Sequence, residues 1–94
     1  MRINKLKKLP ASIGLLSNLR YLNLSSNALM ELPQSIGKLM ALKELNLSNN
    51  KLNLVPESIG DLNSLEILNL KANYWIKLPE SIMKLKEQGL QIYT

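Results

Sequence analysis

The chain has no cysteine, no histidine and no phenylalanine in 94 residues, one tryptophan and one aspartate, Asp61. Without cysteine there is neither a disulfide framework nor a thiolate metal site. Without histidine or cysteine, Ser-His and Cys-His nucleophilic arrangements cannot be assembled. No apolar run approaches the roughly 18 residues that a membrane-crossing helix needs. The N-terminal MRINKLKKLP is basic but has no apolar segment behind it, unlike a secretory signal. Gly14, Gly37 and Gly60 stand singly, so they do not form a phosphate-cradling loop. An enzyme, a cofactor, a metal site and a membrane partner are therefore not expected.

What the chain does have is repetition. Pro10, Pro33, Pro56 and Pro79 stand 23 residues apart, within LPASIGLL, LPQSIGKL, VPESIGDL and LPESIMKL. Between them recur YLNLSSN, ELNLSNN and ILNLKAN. A fixed period of this size is the signature of a solenoid, in which each repeat forms one coil and buries its apolar face against the next. A single coil buries too few side chains to offset the conformational entropy of ordering it, so the coils must share one core. The chain reads as one domain, with a partial repeat over 1–18, repeats at 19–41, 42–64 and 65–87, and a cap over about 80–94.

Within the repeat Leu19–Ala41, the alternation Leu22-Asn23-Leu24 has period two, which predicts a strand with one face in the core. Asn27 follows at a turn, where its amide can both donate to and accept from loop backbone. Asn4, Asn50 and Asn73 hold the equivalent place and predict a ladder. Ile36 and Leu39 are three apart, the spacing of one apolar face on a short helix or 3₁₀ turn. Pro33 suits the first helical position. Gly37 permits either close approach or a left-handed backbone. Each coil should therefore place a short strand on one side and a short helical turn on the other. The shorter, strand side should become concave. The glutamates Glu31, Glu57 and Glu80 fall on the outer or rising side, with no cleft between them for acid–base work.

Leu19, Leu22, Leu24, Asn27 and Leu29 spell LxxLxLxxNxL, and Leu42, Leu45, Leu47, Asn50 and Leu52 repeat it. Leu65, Leu68, Leu70 and Asn73 give it a third time, with Trp75 in place of the last leucine. This resembles the leucine-rich repeat family over essentially the whole chain. With its LPxSIGxL half, it is similar to the 23-residue class of Ras-pathway scaffold, plant Ras-group and bacterial repeat proteins. The resemblance implies an α/β solenoid of about four coils, with parallel strands on the concave side, that binds a protein or peptide there. Carried over by position, the concave face would present Arg20, Tyr21, Asn23, Ser25 and Ser26 from one strand. The next would give Lys43, Glu44, Asn46, Ser48 and Asn49, and the third Glu66, Ile67, Asn69, Lys71 and Ala72.

Arg20 and Tyr21 lead as contact candidates, because Arg and Tyr are over-represented among binding hot spots. The alternative is that such positions hold soluble filler. For the row Asn23, Asn46 and Asn69, a structural role is expected, each amide bonding to the next along the stack. Trp75 is read as a plug in the core rather than an exposed anchor.

The repeat fails at both ends. Met1 aligns with Leu24, so Met1, Arg2, Ile3 and Leu6 form a candidate open edge through which a second copy could pair. At the other end Met83 replaces the repeated glycine. Leu85 to Leu90 spans five residues where Leu62 to Leu68 spans six. Leu90-Gln91-Ile92-Tyr93 is then a last, slipped strand. Twelve basic against seven acidic residues leave +5. These charges spread over every repeat and read as a solvated surface, which ranks nucleic acid last among partners. The missing cysteines, and the sequons at Asn23 and Asn46 inside predicted strands, make a cytoplasmic setting the expectation, with a secreted bacterial effector left open.

Overall fold

The computed structural model describes residues 6–74 and 76–94. The expectations placed on Met1, Arg2, Ile3, Asn4 and Trp75 lie outside the described residues. Four three-residue strands pair in sequence order into one parallel sheet: β1 (Tyr21–Asn23), β2 (Glu44–Asn46), β3 (Ile67–Asn69) and β4 (Gln91–Tyr93). Opposite them run three 3₁₀ turns, Ala11–Leu15, Gln34–Lys38 and Glu57–Asp61, and one α-helix, α1 (Ser81–Glu87). The order strand, turn, strand, turn is the solenoid predicted from the period.

The strands pair with an offset of 23 from β1 to β2 and from β2 to β3, so Leu22, Leu45 and Leu68 stack in one column. Leu24, Leu29, Ile36, Leu39, Leu42, Leu47, Leu52, Ile59 and Leu62 fill the space between sheet and turns with no exposed surface. Leucine dominates because each inward position meets its own copy one coil away, and a branched, apolar side chain packs well on itself.

The prolines sit one residue before the turns rather than at their first position. Pro10, Pro33 and Pro56 have φ near −70° and ψ near 150°, an extended conformation. Their carbonyls accept the first turn hydrogen bonds, from Ile13, Ile36 and Ile59. The ring fixes the direction in which the chain enters each turn.

Of the two roles open to Gly37, close approach is the one realised. A Cβ on Gly37 would lie 2.5 Å from the Ser58 carbonyl oxygen, and one on Gly14 2.8 Å from that of Ser35. None of the three repeated glycines has a positive φ. Met83 takes this place in α1, half-exposed.

The last coil is longer than the others, not shorter. Leu68 pairs with Ile92 and Ile67 with Gln91, an offset of 24. Ile92 thus stands seven residues after Leu85, and α1 with Gly89 at φ +107° takes up the added residue.

The asparagine ladder forms as the spacing predicts. Asn50 Oδ1 accepts the Leu29 N–H of the preceding coil at 3.0 Å, while its Nδ2 donates to the carbonyls of Leu24 and Leu47 at 2.9 and 3.0 Å. Asn27 accepts from Leu6 N–H, and Asn73 from Leu52 N–H. Each amide therefore closes its own turn and ties it to the coil before.

Candidate functional site

Period two along each strand sends its first and third residues to the concave side and the middle one to the core. The first residues, Tyr21, Glu44 and Ile67, stand in cross-strand register as one row, and Asn23, Asn46 and Asn69 as a second. These six residues line a concavity of about 430 Å³ over β1–β3, with Leu22 and Leu45 beneath. Tyr21 is 59% exposed, while Glu44 and Ile67 are half-buried.

The remaining carried-over residues lie outside this concavity. Arg20, Lys43 and Glu66 precede their strands, and their carbonyls accept ladder hydrogen bonds from the next coil: Arg20 from Lys43 and Glu44, Lys43 from Glu66 and Ile67, Glu66 from Gln91. They stand at the strand entrance. Lys71 is drawn to the far end, its Nζ 5.8 Å from the centre of the Tyr93 ring. Ser25, expected on the surface, is buried.

The asparagine row is structural, but it does not bond along the stack. Asn23 Oδ1 accepts from the N–H and hydroxyl of Ser25 at 3.0 and 2.6 Å. Asn46 repeats this with Ser48 at 3.0 and 2.7 Å. Asn69 accepts from the Lys71 N–H at 3.1 Å. Each oxygen is thus held by its own turn, two residues on, as in an Asx turn. With the oxygen so fixed, the amide nitrogen is the end turned outward.

Two features went unread in the sequence. Gln91 and Tyr93 extend the two concave rows onto β4, opposite Ile67 and Asn69. The polar–apolar alternation Gln91-Ile92-Tyr93 carries that signal once the offset of 24 is known. Ser26, Asn49 and Ala72 all have φ near +60°, the left-handed region, at the bend after each strand. Of the three, only Asn is a residue type that visits this region readily, so side-chain type gave little warning.

At the N-terminal end the core thins. Leu16 is 41% exposed, whereas its equivalents Leu39 and Leu62 are fully covered. Leu6 is half-buried, and among the described residues β1 pairs on one side only.

Comparison with known proteins agrees with this geometry. The sequence model of a leucine-rich repeat region matches residues 2–91. The chain belongs to the leucine-rich repeat family. Among solved structures, it is similar to a leucine-rich repeat protein of Leptospira interrogans, with 47% identity and a TM-score of 0.88. That match covers 95% of this chain and 22% of the other, so the chain spans about a fifth of that protein's length. No curated protein matches the chain. The leucine-rich repeat fold generally mediates protein–protein interaction and is generally not an enzyme fold.

Proposed function

We propose that this leucine-rich repeat domain is a non-catalytic interaction module that binds a protein or peptide on its concave sheet. The observation that carries this reading is the concavity over β1–β3, where two side-chain rows in register face outward with an aromatic, a carboxylate and an aliphatic side by side. Backbone pairing and the Asx turns hold these rows in place, so a partner meets a surface that is already ordered. A cytoplasmic setting belongs to the same reading: a glycan on Asn23 or Asn46 would project into the concavity.

The test is capture from native lysate with the variant Tyr21→Ala/Glu44→Ala/Ile67→Ala as control. All three side chains lie on the concave face, so the core is left intact. A specific partner should be retained by the unaltered chain and lost by the triple variant. Equal retention by both would contradict the reading.

A second reading rests on the thinning core at Leu16. Two copies could cover this N-terminal end about a two-fold axis, which closes the assembly. Light scattering over a concentration series tests it, and a monomer throughout would reject it. Nucleic acid finds no support on the concave face, where the charged group lining the concavity is Glu44.

A further inference from the structure

The concavity is lined by eight residues, and among them Glu44 is the one that carries charge at neutral pH. It sits on the central strand, in register with Tyr21 on one side and Ile67 on the other. Neighbouring strands are about 4.8 Å apart, so the carboxylate lies within side-chain reach of both. The basic residues Arg20 and Lys43 stand at the strand entrance and are not among the lining residues. The row below offers amide nitrogens, whose oxygens are already engaged with Ser25, Ser48 and Lys71.

A ligand that covers this row strips water from Glu44. A buried carboxylate without a partner is strongly unfavourable, and one left unpaired at an interface selects against the ligand that leaves it so. An aliphatic side chain centred here pays that desolvation, and an acidic one adds like-charge repulsion. A cation compensates it. The Tyr21 ring, one strand away, adds an aromatic face for the same cation, and Ile67 takes an apolar neighbour.

We propose that the concave site recognises a peptide segment carrying a lysine or arginine beside an apolar residue, with the cation on Glu44 beside the Tyr21 ring. This rests on the reading of the sheet as the binding face and adds the chemistry of the ligand. The amides of Asn23, Asn46 and Asn69 donate to carbonyls of the bound backbone.

The experiment is selection of a random peptide display library on the immobilised 94-residue chain, followed by titration of the synthesised winners. The expected winners share a Lys or Arg next to an apolar residue. Glu44→Gln should weaken them at least tenfold, about 1.4 kcal/mol, and replacing the peptide cation by norleucine should cost as much. The charge-swapped Glu44→Lys should select peptides with Asp or Glu at that place. Circular dichroism checks that each variant keeps the wild-type fold. Winners that ignore Glu44→Gln but are lost with Tyr21→Ala/Ile67→Ala would overturn the cation and leave the concave face standing. Winners that ignore both would overturn both readings. Recovery of no binding peptide also counts against the cation site.

Discussion

Replacing Asn50 by alanine strikes the ladder at its most enclosed rung. The residue is 7% exposed. Its removal orphans the Leu29 N–H of the coil before and takes one of the donors from each of the Leu24 and Leu47 carbonyls, all held at 2.9–3.0 Å. A buried group left without a partner costs about 1–3 kcal/mol. Each carbonyl keeps a second donor, the Asn27 amide on Leu24 and the Asn73 amide on Leu47, so the N–H dominates, and the expected loss is about 3 kcal/mol. In a domain of this size each kcal/mol shifts the melting temperature by roughly 4–8 °C, so Tm should fall by about 12–24 °C. Urea denaturation followed by circular dichroism should show a lower midpoint with an unchanged slope. The half-buried Asn73 also bridges two coils, but water reaches it more easily, and Asn73→Ala should cost less. A loss below about 0.5 kcal/mol for Asn50→Ala, or a larger one for Asn73→Ala, would mean that burial of the Leu29 N–H does not set the strength of this rung.

Gly37→Ala forces a Cβ to 2.5 Å from the Ser58 carbonyl in the middle of the stack, and should cost about 2–3 kcal/mol by urea titration. Ala72→Gly relieves a left-handed backbone at φ 57° and should stabilise by about 0.5–1 kcal/mol, seen as a higher Tm. Ser35 and Ser81 each donate to a carbonyl of the preceding coil, at Ala11 and Glu57, whereas the buried Ser58 hydroxyl has no partner among the described residues. Ser35→Ala should therefore cost about 1 kcal/mol and Ser58→Ala nothing or a slight gain in calorimetry.

The coil was readable because the apolar positions of the first three repeats recur at a constant interval, which places Leu22, Leu45 and Leu68 in one column before any coordinates are known. The ladder at Asn27, Asn50 and Asn73 was readable for the same reason, and because a side-chain amide can both donate and accept at such a turn. The concave rows were half readable. Period two places Tyr21, Glu44 and Ile67, and Asn23, Asn46 and Asn69, on one face. It does not say that Arg20, Lys43 and Glu66 stand where the strand has not yet begun, since the three-residue length of each strand is set by how soon the chain turns. The direction of Lys71 was not readable, because it turns toward Tyr93, which enters through the longer last coil. That coil was misread as short because leucine was matched to leucine, whereas Ile92 fills the column. The asparagine row was read as bonding along the stack. Serine two residues later offers a nearer donor, and local geometry prevails over the longer reach between strands.

Concave-face binding is tested most directly by following backbone amide resonances while a peptide selected on the whole chain is added. Shifts should concentrate in Tyr21–Asn23, Glu44–Asn46 and Ile67–Asn69. Shifts confined to the turns Ala11–Leu15, Gln34–Lys38 and Glu57–Asp61, with the sheet unmoved, would contradict it.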